Sequence, residues 1–357
     1  MKKFDFFLLV PAIFLTFFGL FMLYDASSFV AFRDFADKYH FVKEQIFWIF
    51  LGCLALILFS KFDYHRFYNL AIPILIVAIS LLVLVFVPSL GIELLGARRW
   101  IDIGFTTLQP SEFVKLALAI YLAAWFSNKE KGRLWAFLLL LSVILILVLI
   151  EPDMGTAVII LLEAVTIYFL SGARVLYFAI LLPVIAFFGL LFIKIEPYRA
   201  ARLMTFLNFN QDISASSYHV RQILIALGSG GLTGVGFSNS LQKYAYLPEN
   251  TTDSIFAIIA EELGFLGASF IIFVYIFIIW RGFYIAINAK DTFGKLLAGG
   301  ITTFLAGQIL INLSSQTVLL PLTGVPLPFI SYGGSALIIS LSAVGILLNI
   351  GKQGKSV

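Results

Sequence analysis

Asp253 closes the string YLPENTTD (246–253), directly before an apolar run that begins SIFAIIAEELG and holds Glu261 and Glu262. Charge at membrane depth is costly, and where it occurs it usually marks function. Upstream, Arg199, Arg202, Arg221 and Lys243 share one long polar segment with the glycine-rich stretch GSGGLTGVGF (228–237). Arginine and lysine can hold phosphates, the amides of a glycine run such as Gly230 and Gly231 can cradle an anion, and a lone carboxylate can accept a proton. Together they suit a transfer reaction with an anionic leaving group. A plainer reading stands beside each one. Asp253, with Thr251 and Thr252, sits where a helix N-cap belongs, and close helix packing in membranes also selects glycine.

Other strings carry weaker chemistry. In TLQPSEFVKLALA, Glu112 and Lys115 are three residues apart, so they can pair on one helical face, or Lys115 can meet a phosphate about one turn below the surface. Glu151 and Asp153 of EPDMGT can bind a metal, hold Arg98 and Arg99, or simply cap a helix junction. Glu163 lies within LLEAVTIYF, and the sequence names no partner for it. His40, His65 and His219 are scattered, with neither metal-ligand spacing nor a Ser-His-Asp order. No Walker A lysine loop is present, which argues against nucleotide hydrolysis.

The elements that must position these residues are membrane helices. Hydrophobic residues make up 61% of the 357, charged residues 12%, and the mean hydropathy is +1.01. Ten apolar runs are candidate spans, at approximately 6–24, 46–60, 69–88, 111–127, 135–150, 155–171, 174–193, 254–280, 296–319 and 332–350. The expected fold is all-α, a polytopic membrane protein of about ten transmembrane helices forming a single domain over 1–357. A large extracytoplasmic loop, about 194–253, joins helices 7 and 8. The first run is too long for a signal-peptide core and reads as a retained helix. Cys53 lies in an apolar run and reads as packing, since one cysteine cannot build a disulfide framework.

Lysine and arginine in the short loops KFDYHRF (61–67) and NKEKGR (128–133) set the orientation, with both termini cytoplasmic. The net charge of +4 then reflects topology and contact with anionic membrane lipids, and gives no reason to propose nucleic acid. With this topology the loops rich in glycine, proline and charge all open on the outer face, where irregular backbone lines a wet cavity. They are 91–112, 151–156, 194–253 and 321–336. No internal repeat was found, which weakens a transporter built from inverted halves.

Six strings in this order, GARRWIDIG, LQPSEFVKL, EPDMGTA, YHVRQILIALGSGGLTGVGF, YLPENTTDSIFAIIAEELG and TGVPLPFISYGGS, resemble the SEDS (shape, elongation, division and sporulation) family of peptidoglycan glycosyltransferases. The resemblance spans nearly the whole chain. The spacing NSLQKYAYLPE after the glycine run is more similar to the cell-division members than to the elongation members. It implies polymerisation of lipid II, an undecaprenyl-pyrophosphate-linked disaccharide peptide, at the outer face of a bacterial cytoplasmic membrane. The family's essential aspartate, in its PE-x-x-TD pattern, falls on Asp253. Thr251 stands where many members have His, so this chain does without that ring. The family's lysine and acid after QPS fall on Lys115 and Glu112, and its outer-loop arginines on Arg199 and Arg202. Arg98, Ser331, Gly230 and Gly231 complete the candidate substrate-binding set. Expected partners are a class B penicillin-binding protein transpeptidase and the other division proteins. No resident cofactor is expected beyond a divalent cation, Mg or Mn, at the pyrophosphate, and no metal ligands are assigned. The competing readings are a lipid II flippase, which needs polar lining through to the inner face, and the elongation-type polymerase of the same family.

Overall fold

The computed structural model describes residues 5–94, 97–104, 106–128, 133–179, 183, 202–206 and 215–354. Its helices are α1 (Phe6–Phe35), α2 (His40–Lys61), α3 (Arg66–Leu84), α4 (Pro110–Ser127), α5 (Leu134–Ile150), α6 (Met154–Leu170), α7 (Ala215–Ser229), α8 (Ile255–Ile287), α9 (Thr292–Gln316) and α10 (Gly334–Gln353). Among the described residues, α1, α2, α3, α8, α9 and α10 are long and apolar enough to cross a membrane, and α5 and α6 are shorter apolar helices. The protein is an integral membrane protein of mainly helical fold. Most of the seventh expected span, 174–193, lies outside the described residues.

Exposure along the helices follows from what each buries. The spanning windows of α2, α3 and α8 are only 28% buried, leaving their remaining apolar surface for lipid, whereas that of α9 is 89% buried. Helix α9 is also the least apolar of the six, at a hydropathy of 1.6. Some of its buried polar side chains bond within the helix itself. Thr302 and Thr303 donate to the carbonyls of Ala298 and Gly299 one turn back, at 2.7 and 2.8 Å. Small residues let neighbouring backbones close in, the usual membrane solution where no hydrophobic force draws helices together. Gly345 of α10, for example, faces the main chain of Leu56 on α2, where a Cβ has no room.

Two departures from the sequence expectation matter. The loop 91–112, expected to be irregular, contains an antiparallel sheet in the order β1 (Gly91–Leu94), β2 (Ala97–Asp102), β3 (Thr107–Leu108). Ile92 pairs with Trp100 and Ile101 with Leu108, the β-branched and aromatic pairs that stabilise a ladder. The Asp102 carboxylate accepts from the Gly104 amide at 2.7 Å and, with Gly104 at φ +89°, turns the chain into β3. Helix α1 runs on to Phe35, well past the expected end near 24, because Asp25, the polar residue at that boundary, has a partner. Lys243 donates to both its carboxylate oxygens at 2.9 and 3.2 Å.

Helix α8 breaks at Gly264, where φ is +66°. The break strips main-chain groups of helical partners, and the glycine run supplies replacements. Val235 and Gly236 donate to the carbonyls of Glu261 and Glu262 at 3.0 and 3.1 Å, while Phe265 and Leu266 donate to Gly231 and Leu232 at 2.9 and 3.1 Å. A Cβ on Gly264 meets the main chain of Leu232 and Gly234, so glycine is required here both for its conformation and for the close approach.

Polar contacts separate the two ends of the bundle. At one end the Tyr64 amide donates to Asn349 at 3.0 Å, the Tyr64 hydroxyl donates to Asp291, and the His65 ring pairs with Asp63 and Asp291 at 2.8 and 3.1 Å. These bonds staple the α2–α3 and α8–α9 turns to the end of α10. The opposite end carries the sheet, α7 and the segment 317–333, and it holds the cavity.

Candidate functional site

A cavity of about 710 Å³ opens among the sheet, the helical stretch 202–206, α7, the start of α8, segment 318–326 and the start of α10. Arg99 and Trp100 of β2, Arg202, His219 of α7, and Glu249, Thr252 and Asp253 all line it. No single element contains the site.

Asp253 is 7% exposed. It is not the helix cap, because Ser254 holds the N-cap position of α8 and makes no side-chain cap bond. Its main-chain carbonyl accepts from Asn312 Nδ2 at 2.9 Å, and the same amide nitrogen donates to the Val325 carbonyl at 2.8 Å. Asn312 is fully buried on α9, so it pins Asp253 to the bundle core. Thr252 Oγ1 donates its single proton to Glu249 Oε2 at 2.8 Å and lies 3.3 Å from the carboxylate Oδ1 of Asp253. Burial first, then the negative charge of Glu249, push the Asp253 carboxyl up to about 7, with Arg202 acting in the opposite sense. At that value the group can take a proton near neutral pH and release it again.

The cations are arranged differently from the sequence expectation. Arg202 lines the cavity and donates from Nη1 to the Leu322 carbonyl at 2.8 Å. Arg98 turns away: it is exposed and pairs with Glu93 at 3.3 Å. Arg99 takes its place, donating to the carbonyls of Glu151 and Pro152 at 2.9 and 2.5 Å, which anchors the sheet over the α5–α6 turn. Strand alternation would have told the two apart, since Ala97 and Ile101 are buried and Arg99 lies on their face. Lys243 is held by Asp25 and, at 3.4 Å, by Glu262, so it staples the loop to α1 and α8 and is not among the residues lining the cavity. Arg199 lies outside the described residues.

Lys115 and Glu112 make the structural pair at 2.7 Å, both essentially without solvent contact. Lys115 Nζ also donates to Gln308 Oε1 at 2.7 Å, and Gln308 Nε2 donates to the Pro326 carbonyl at 3.0 Å. Pro326 lines the cavity, so Lys115 supports the wall from behind and does not reach into the cavity as a phosphate ligand must. Glu163 lies in the field of Lys115, and neither carboxylate oxygen has a hydrogen-bond partner among the described residues. Ser331 is buried with its hydroxyl accepting from the Leu327 amide at 2.8 Å. It shapes the turn, while its neighbours Tyr332, Gly333 and Gly334 line the cavity. Gly230 and Gly231 sit in the run that mends the break in α8: the Gly230 amide donates to the Ala226 carbonyl at 3.2 Å and a Cβ there has no room against the main chain of Ala260, which supports the packing reading for Gly230.

Asp153 caps α6 through the Thr156 amide at 3.1 Å and accepts from Gln109 at 3.3 Å. The Glu151 carboxyl is fully buried without a hydrogen-bond partner among the described residues, and burial pushes it up to about 9, with Asp153 adding to the effect. Among the described residues no three His, Cys, Asp or Glu side chains converge as a metal cage would require. His219, dismissed in the sequence as scattered, lines the cavity and meets Ser254 Oγ at 2.8 Å. Burial, with Arg202 nearby, pushes its ring down to about 4, so it is neutral at neutral pH. No local sequence signal marks it, because the contact spans α7 and α8.

The chain is similar over 98% of its length to stage V sporulation protein E of Bacillus subtilis, at 38% identity and covering 98% of that protein. It is equally similar, at 38% identity over 98% of this chain and 93% of the relative, to the probable peptidoglycan glycosyltransferase FtsW of Trichlorobacter lovleyi. Among solved structures it superposes with a TM-score of 0.82 and 26% identity, over 98% of both chains, on a chain from a study of how a peptidoglycan synthase complex coordinates polymerization and crosslinking. Against the rod shape determining protein RodA of Thermus thermophilus the TM-score is 0.73 at 25% identity, covering 99% of this chain and 98% of that one. Residues 6–356 match the FtsW/RodA/SpoVE profile, described as cell cycle protein, and the chain belongs to that family.

Proposed function

We propose that this chain is a peptidoglycan glycosyltransferase that polymerises lipid II into glycan strands during cell division. The observation that carries the reading is Asp253: a carboxyl 7% exposed, lifted to about 7, in one cavity with Arg202 and Arg99. Asp253 takes the proton of the GlcNAc 4-hydroxyl on an acceptor lipid II as that oxygen attacks the anomeric carbon of a donor MurNAc. The undecaprenyl pyrophosphate leaves with the bonding electron pair, and the anomeric centre inverts. One carboxylate suffices, unlike the pair in glycosidases, because pyrophosphate leaves without a proton. Arg202 and Arg99 offset the charge that grows on the phosphates. Lys115 and Glu112 act through Gln308 on the cavity wall, and Arg199 remains a candidate phosphate ligand from the sequence pattern. A divalent cation has no protein cage among the described residues, so one at this site would be held chiefly by the pyrophosphate.

The relatives' names support the activity, and the synthase-complex neighbour supports a class B penicillin-binding protein as partner. The basic short loops support an orientation with both termini cytoplasmic and the cavity facing outward. The direct test is polymerisation of purified lipid II by the purified protein, with and without a class B transpeptidase, resolved by gel. Glycan polymer from the unmodified protein and none from Asp253→Asn is the expected result. Polymer from the Asp253→Asn variant at the unmodified rate would remove Asp253 from the reaction.

A further inference from the structure

The polymerase reading leaves a proton on Asp253 after every turnover, on a side chain whose small exposed face lines the cavity that the substrates fill. It is 7% exposed and its main chain is pinned by Asn312. The neighbouring geometry provides a way out. Thr252 Oγ1 lies 3.3 Å from Asp253 Oδ1 and 2.8 Å from Glu249 Oε2, so one hydroxyl bridges a buried carboxyl and an exposed one. Glu249 holds a left-handed backbone, φ +51°, which is unfavourable for a residue with a side chain. Its carbonyl accepts from the Thr252 and Ser254 amides at 3.2 and 3.1 Å, closing a tight turn that folds the Glu249 carboxylate back over Thr252.

We propose that Thr252 and Glu249 form a proton exit for Asp253, and that the strained turn exists to hold the three oxygens in line. Protonated Asp253 donates to Thr252 Oγ1 while Thr252 Oγ1–H passes its own proton to Glu249 Oε2, and Glu249 then releases a proton to water. One O–H bond breaks and one forms at the threonine oxygen, no electrons change hands, and Asp253 returns to carboxylate. The value of about 7 for Asp253 is compatible with this step, since a much more basic group would keep its proton. Thr252 and Glu249 act through Asp253 and are positioning residues for its proton. Among the described residues, the other titratable or charged groups facing the cavity are Arg202 from the stretch 202–206, His219 from α7, Arg99 from β2 and Tyr332 from the segment before α10.

The test is steady-state polymerisation by the full chain as a function of pH and of added imidazole, a small base that can collect the proton directly. Thr252→Val should lower kcat at least about tenfold with KM for lipid II nearly unchanged, while Thr252→Ser, which keeps the hydroxyl, stays near the unmodified rate. Glu249→Gln, an isosteric change at an exposed carboxyl, should lower kcat similarly and move the acidic limb of the pH profile to lower pH, because the charge that lifts Asp253 is gone. Imidazole should restore both slow variants. Unmodified kcat in Thr252→Val and Glu249→Gln, or a loss that imidazole leaves untouched and Thr252→Ser shares, would overturn the relay. Where the unmodified protein polymerises lipid II and Asp253→Asn does not, those overturning results from the Thr252 and Glu249 variants discard the relay alone; no polymer from any form discards the polymerase reading itself.

Discussion

Asp253 illustrates how far a residue's chemistry depends on what surrounds it. The glutamates two turns into the helix that follows are spent on structure: Glu261 accepts from the Ser240 hydroxyl, and Glu262 accepts from the Ser240 amide at 3.2 Å and from Lys243. Of these three acids only Asp253 lines the cavity. Its proton affinity sets a first prediction. Below about 7 the carboxyl is protonated and cannot accept the hydroxyl's proton, so kcat/KM should rise as pH increases through that value. Replacing Arg202 by Gln removes the charge that favours carboxylate and should shift the limb to higher pH, as measured by initial rates across a buffer series. A limb that stays at the unperturbed aspartate range would mean that another group controls the rate. The arginine pair gives a second prediction. Arg98→Gln removes an exposed ion pair worth about 0–1 kcal/mol and should leave melting temperature and turnover near the unmodified values. Arg99→Gln removes charge-assisted bonds to two carbonyls, worth about 1.5–3 kcal/mol each, and should lower both.

At the scale of elements, the break in α8 joins the cavity to the rest of the bundle. The helix starts beside Asp253, and within three turns its hydrogen-bond ladder is handed to the glycine run and then resumed. Gly264→Ala forces a side chain into a left-handed conformation, costing about 1–3 kcal/mol, and drives its Cβ into the main chain of the run. We predict a clear fall in thermal stability in detergent. Gly228→Ala in α7, whose added Cβ meets nothing within 4 Å, should hold or raise it. Equal effects from the two substitutions would show that the break carries no strain. Lys243→Ala leaves Asp25 and Glu262 buried without their cation, and should cost about 3–5 kcal/mol in the same assay.

For the molecule as a whole, the distribution of polar groups separates a polymerase from a flippase. The cavity is lined from one end only, and the opposite end is closed by mutual bonds among Tyr64, His65, Asp63 and Asp291. Between them lie Lys115, Glu112, Gln308 and Glu163, all buried, and none of the four lines the cavity. In proteoliposomes with lipid II added outside, the expected result is polymer formation with no headgroup crossing beyond that of empty vesicles. Rapid crossing that survives Asp253→Ala, without polymer, would favour transport.

The sequence by itself determined the membrane class and nearly all the described helices, and it proposed Asp253 as the key carboxylate. These rest on runs of about 20 apolar residues and on a motif contiguous in the chain, both of which are local properties. The α1 end near 24 was misjudged for a reason of the opposite kind, because Asp25 is neutralised by Lys243, 218 residues away. The sheet was missed because a short loop offers few positions in which alternation can be read, and with it went the distinction between Arg98 and Arg99. Lys115 looked like a phosphate ligand until Gln308 closed over it, and Gly230 looked like part of an anion cradle until its amide went to Ala226 and the main chain of Ala260 packed against it. His219 carried no signal at all. A charge or an amide states what it can bind, but what it does bind is decided by which groups from distant segments reach it first, and only the tertiary structure brings those segments together.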